Sequence, residues 1–177
     1  MTTLSRSSIR RAAKVAVIHA HQDTGNAAAT VHLIGRDLML IGVNGARPAT
    51  DAAEDTAAYI ITGAIDGSVE AGGDMIMTIR SIVHGTVKGA WEAGADMGRI
   101  AVTATQAAVR AATRIGIASD KAMELAVNGA IAAGNEIGAQ AAGGVMEALT
   151  NSIHWDNTCF QSPDEITGEK GLDYLHG

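Results

Sequence analysis

Between Ile60 and Leu149 the chain repeats one arrangement of apolar, small and polar positions every 22 residues. Each unit opens on a small residue, at Gly63, Gly85, Ala107 and Gly129, followed four places later by Gly67, Gly89, Ala111 and Ala133. Two places in stands a larger apolar side chain, Ile65, Val87, Val109 or Ile131, and Trp91 widens this stripe in the second unit. Seven places in come Glu70, Glu92, Arg114 and Glu136, and nine places in come Gly72, Gly94, Gly116 and Gly138. A period of this length marks an array of one supersecondary element. The three- and four-residue spacing of its apolar positions makes that element a helix. The chain therefore reads as all-α, with four Gly/Ala-rich repeats at its centre.

Two arrangements fit the period. A single long amphipathic helix would have 3.67 residues per turn, the right-handed supercoil period, and would run about 135 Å. Alternatively, Gly72-Gly-Asp74 and Gly94-Ala-Asp96 are tight turns in which glycine stops one helix and aspartate caps the next. Gly116 followed by Ser119-Asp120 gives the same sense two residues later. Each unit is then a short helix packed antiparallel on the next through its small-residue face. Glycine costs about 1 kcal/mol against alanine inside a helix, so so many glycines at fixed positions favour the array of short helices over the long rod.

Outside the repeat, residues 5–22 place Ile9, Ala12, Ala13, Ala16, Val17 and Ala20 on one helical face, and residues 27–43 do the same with Val31, Ile34, Leu38 and Ile41. Asn44-Gly45 and Pro48 break the chain, and Asp51 with Glu54 restarts it as a capping box. These breaks divide the sequence into a basic helical arm (1–48), the repeat region (49–150) and an acidic tail (151–177). The tail carries Trp155, Phe160 and Tyr174.

Composition sharpens this picture. Apolar residues make up 47% of the chain but aromatics only 3%, so the core must draw its contacts from close backbone approach and not from large rings. The formal charge of −6 argues against nucleic acid as a partner. That charge is uneven: residues 1–22 carry Arg6, Arg10, Arg11 and Lys14 with no acid, while the chain from Thr150 carries five acids against Lys170 alone. Cys159 is the only cysteine, which excludes an intrachain disulfide and a cysteine-rich zinc site.

Candidate chemistry is thin. His19, His21, Asp23 and His32 are ligand types, but helix positions two apart do not face each other. His84 holds a polar position of the repeat. His154, Asp156 and Cys159 sit together in a polar tail without an oxyanion site. The recurrent Glu70, Glu92 and Glu136 lack the Glu-x-x-His partners of di-metal bundles and read as a solvated stripe. Met75, Met77, Met97, Met123 and Met146 read as core filling. No Walker or dinucleotide pattern is present.

The sequence thus leads us to expect a non-enzymatic, cytoplasmic scaffold without a cofactor. The glycine/alanine faces are expected to join copies into an oligomer, and the apolar stripe to hold or conduct a lipid- or quinone-like molecule. The four N-terminal cations and the tail aromatics are the expected docking points for a partner protein. One alternative is an amphipathic coat on a membrane or granule surface. An alternative of another class is a metal-binding or enzymatic bundle.

Overall fold

The computed structural model describes residues 5–23, 25–45 and 50–159, except for the side chains at 44–45, 50–51 and 153–159. Over this range the chain forms α1 (Arg6–Gln22), α2 (Ala27–Gly45), α3 (Thr50–Ala71), α4 (Met75–Glu92), α5 (Met97–Arg114), α6 (Ser119–Ile137) and α7 (Ala139–Cys159). The long rod is excluded, because the chain turns at every unit.

The ninth position of the repeat makes those turns. Gly72, Gly94 and Gly116 have φ of 65°, 73° and 91°, the left-handed region in which a Cβ is strained. Each is followed by the same long-reach hydrogen bond back into the helix: Gly73 N–H to the Ser68 carbonyl, Ala95 to Ala90 and Ile117 to Ala112, at 2.8–3.0 Å. This is the Schellman stop. Asp74 and Asp96 then cap the next helices by accepting from the Met77 and Arg99 N–H groups at 3.0 and 3.1 Å. The third turn differs from expectation, since α6 is capped by Ala118 without a side-chain bond and Ser119 lies inside the helix. Gly138, at φ 146° and ψ 169°, joins α6 to α7 through one extended residue. That region is open essentially to glycine alone. Gly138→Ala is therefore expected to cost about 2–3 kcal/mol and Gly94→Ala about 1 kcal/mol, an order that urea unfolding of the two variants checks.

Consecutive helices reverse direction, as Ser68 meeting Thr78 across the first Schellman turn shows. The most extensive contacts, however, join each helix to the next but one: α1 to α3, α2 to α4 and α4 to α6. In these pairs the chains run parallel, Arg10 and Lys14 of α1 meeting Gly63 and Gly67 of α3. The odd helices thus form one layer and the even helices a second, antiparallel to it. This corrects the expected pairing, because the small-residue face packs on the second-previous helix and not on the next one. The helices of 6–45 are the first pair of the stack and not a separate arm, and α7 carries the array past position 150.

A β-carbon at Gly63, Gly67 or Gly85 would sit on the carbonyl oxygen of Arg10, Lys14 or His32. At Gly89 and Gly129 it would come 2.5 Å from the Arg36 and Arg80 carbonyl oxygens. Ala107, Ala111 and Ala133 occupy the same positions and are also buried. Around these contacts the largest fully buried side chains are isoleucine, valine and Met39. No aromatic side chain is fully buried among the described residues, which agrees with the composition. Met75, Met77 and Met97 pack against this core as expected, but Met146 is exposed.

Candidate functional site

The recurrent charges turn out to tie the layers together. Glu70, Glu92 and Glu136 accept from Lys14, Arg36 and Lys88, each on the second-previous helix, at 2.5–2.7 Å. The stripe is therefore a set of interhelical pairs and not a merely solvated face. Arg36 reaches both Glu92 oxygens, at 2.7 and 2.9 Å, and this hydrogen bonding holds the Glu92 carboxyl below its ordinary range. Lys88 does the same to Glu136. Arg114, where the repeat changes sign, donates to Asp66 of α3 at 2.7 Å.

Three of the four N-terminal cations join this scheme. Arg6 pairs with Asp55, Arg10 with Asp66 and Lys14 with Glu70, all at 2.5 Å. Asp66 is shared, since Arg10 and Arg114 both donate to it. One carboxylate therefore faces two guanidiniums. Arg11 is exposed and makes no ion pair among the described residues. Positive charge is thus left over on this side of an otherwise acidic chain.

These cations border a groove between α1 and α3 of about 810 Å³, open to solvent and lined by Ser5, Arg6, Ser7, Arg10, Arg11, Lys14, Tyr59 and Asp66. Helical spacing explains the arrangement: positions 6, 10 and 14 follow one another turn by turn, and 7 and 11 flank them. Most of its wall is apolar, supplied by aliphatic stems and the half-buried Tyr59 ring. The groove offers a cationic rim over a greasy floor, which suits a ligand having both carboxylates and apolar side chains.

Two histidine clusters were not visible as such in the sequence. His21 Nε2 stands 3.1 Å from both the Ser68 and the Thr78 hydroxyl oxygens, which are 2.9 Å apart, and Thr78 donates to the Asp74 carbonyl. Ser68 is fully buried, and this Ser–His contact locks α1 onto the α3–α4 turn. On the even layer the His32 and His84 rings meet edge to face with centroids 4.4 Å apart. His84 Nε2 lies 3.3 Å from Glu136. Burial lowers both imidazole pKa values from 6.5, with their mutual repulsion adding to the effect at His32. No group of three or more metal-ligating side chains converges among the described residues.

The other expected site residues are placed as follows. Ile65 and Val87 are core, Val109 and Ile131 are half-buried against it, and Trp91, 51% exposed, is the stripe residue most open to water. Of the small-residue faces, Gly63, Gly67, Gly85, Gly89 and Gly129 pack on helices of the same chain. Trp155 lies in α7 with its side chain outside the described set, and Phe160 and Tyr174 lie outside the described residues. So do the side chains of His154, Asp156 and Cys159. No helix among the described residues is long and apolar enough to cross a membrane.

No protein-family model and no curated protein matches this sequence. Among solved structures, the chain is similar to the crystal structure of the de novo designed helical repeat protein DHR7. The TM-score is 0.47 and the identity 14%, over 87% of this chain and 97% of that one.

Proposed function

We propose that this protein is a non-enzymatic helical-repeat scaffold whose α1–α3 groove holds an acidic, partly apolar peptide segment. The observation behind this reading is the surplus cation set at the groove: Arg11 exposed and without a partner among the described residues, and Arg10 and Arg114 sharing Asp66. Exposed ion pairs contribute little net energy, so Arg6 and Lys14 can exchange or share their carboxylates with a ligand. Stacked repeats present such extended surfaces as binding faces. The stripe that a lipid or quinone carrier would need is spent on the core, and exposed apolar residues such as Val15, Leu33 and Ile76 are scattered along the helices. A peptide is therefore the ligand class that the groove fits best.

The test uses a fluorescein-labelled peptide of repeating Glu-Tyr-Glu-Leu sequence, titrated with the full chain at low salt. Binding is expected to weaken about five- to tenfold on Arg11→Glu, which breaks no ion pair among the described residues. It should also weaken steeply as salt is raised. An affinity indifferent to both changes would remove the reading.

A further inference from the structure

We infer that the peptide site continues from the α1–α3 groove across α3 to α5, and that it selects a segment carrying two acidic clusters about 20 Å apart around an uncharged centre. This inference rests on the reading of the groove as an acidic-peptide site and specifies the ligand of that site.

Charge in the odd layer is sorted by helix. The cations of α1 and α5 come without any acid, whereas α3 has acids and no cation. The α3 acids with described side chains are all taken up from the two flanks. Arg6, Arg10 and Lys14 of α1 pair with Asp55, Asp66 and Glu70. From the other side, Arg99 and Arg114 of α5 pair with Glu54 and Asp66, at 2.6 and 2.7 Å. One exposed guanidinium is then left on each flank without an ion pair among the described residues, Arg11 on α1 and Arg110 on α5.

The register of the layer sets these two charges on one line. Arg10 and Arg114 both donate to Asp66, which fixes α1, α3 and α5 at a common level. Arg11 follows Arg10 directly and Arg110 precedes Arg114 by about one helical turn, so both lie close to that level. Two helix-to-helix steps separate them, roughly 20 Å. An extended peptide covers that distance with about six residues. Between the flanks it crosses α3, where Tyr59 and Thr62, both half-buried, share the face of Asp66 by helical spacing. A carboxylate placed there would find Arg10 and Arg114 already engaged with Asp66. The centre therefore favours uncharged side chains against the Tyr59 ring, and the acids gain most at the two ends.

The experiment compares two fluorescein-labelled peptides of one composition, titrated with the full chain at low salt. In the split peptide, Glu-Glu-Ser-Leu-Tyr-Leu-Ser-Glu-Glu, the acids stand at both ends; in the block peptide, Glu-Glu-Glu-Glu-Ser-Leu-Tyr-Leu-Ser, they stand together. The split peptide is expected to bind about five- to tenfold more tightly, because its second cluster engages from an already tethered position. Arg110→Glu, which breaks no ion pair among the described residues, should abolish that advantage while changing the affinity of the block peptide less than about twofold. Arg11→Glu should weaken both peptides. If the two peptides bind equally, or Arg110→Glu acts on both alike, while Arg11→Glu still weakens them, the extension to α5 is overturned and the groove remains a peptide site. If neither peptide binds, or Arg11→Glu changes nothing, both readings fail together.

Discussion

Gly85→Ala is expected to destabilise the protein by about 2–3 kcal/mol, because its added carbon meets the tightest contact of any described glycine. The added carbon would sit on the His32 carbonyl oxygen. It has no rotamer with which to escape, and the atom it meets is backbone, so relief requires α4 to move away from α2. That movement would also lengthen the adjoining approach of Gly89 to Arg36 and loosen the Arg36–Glu92 pair. Gly143→Ala provides the opposite result within the same experiment. A β-carbon there meets nothing within 4 Å, and Gly143 lies inside α7, so the change should stabilise by about 0.5–1 kcal/mol through helix propensity and reduced freedom of the unfolded chain. Gly98→Ala should fall between them, because its contact is the Ala148 methyl at 3.1 Å and not a carbonyl. Urea midpoints of the three variants, followed by far-ultraviolet circular dichroism, give the order directly. If Gly85→Ala proved as tolerable as Gly143→Ala, close approach of parallel helices could not be what holds the layers.

The contrast between these glycines also marks how far the sequence could be read. Turn formation is local: a left-handed residue followed by an aspartate cap is set within a few positions, so Gly72 and Gly94 with Asp74 and Asp96 announced the ends of their helices. The third turn was placed slightly wrong because Ser119 can cap only if the backbone enters the helix one residue later, and Ala118 takes that place instead. Small residues at Gly63 and Gly67 announced that something approaches closely, but which helix does so is a property of the whole stack. In an array whose consecutive members are antiparallel, the side-by-side neighbour is the next but one, and a single unit does not reveal this. The charges did hold a clue. Lys14 to Glu70 and Arg36 to Glu92 are separated by the same 56 residues, and Lys88 to Glu136 and Asp66 to Arg114 by the same 48. Constant separations between opposite charges, compared across units, point to a parallel register two helices apart. At the groove, the cations of α1 were legible as a basic cluster, but Asp55, Asp66 and Glu70 as their partners were not, because partner choice depends on that register. The His32–His84 contact was hidden for the same reason.

That contact carries the second large expectation: the folded state loses stability as pH falls from about 6.5. Burial holds both imidazoles below their ordinary pKa in the native chain. Between that ordinary value and the lowered one, the unfolded chain binds protons that the folded chain refuses, so acid favours unfolding. Above the window both rings are neutral in either state and the full stability is present. The surroundings do not reverse this sign. His32 faces His84, Lys88 and Arg36, and His84 faces Lys88 and Arg80, so Glu136, with Glu92 near His32, opposes several cations at the pair. Glu92 and Glu136 are shifted the other way from carboxyls at large. Held low by Arg36 and Lys88, they keep their contribution above about pH 4.5 and lose it only at lower pH. The interval between about pH 6.5 and 5 therefore reports the histidines alone. Urea midpoints measured across it should fall in the wild-type chain and fall less in His84→Gln, where His32 alone of the pair still titrates and the amide can donate to Glu136. The edge-to-face contact crosses from α2 to α4, so the same protonation should loosen the Gly85 approach first, seen as faster amide exchange in those two helices before the odd layer responds. A midpoint that stays level across the interval would mean that water reaches these rings as freely in the folded chain as in the unfolded one, and an equal fall in His84→Gln would place the proton uptake elsewhere than at His84.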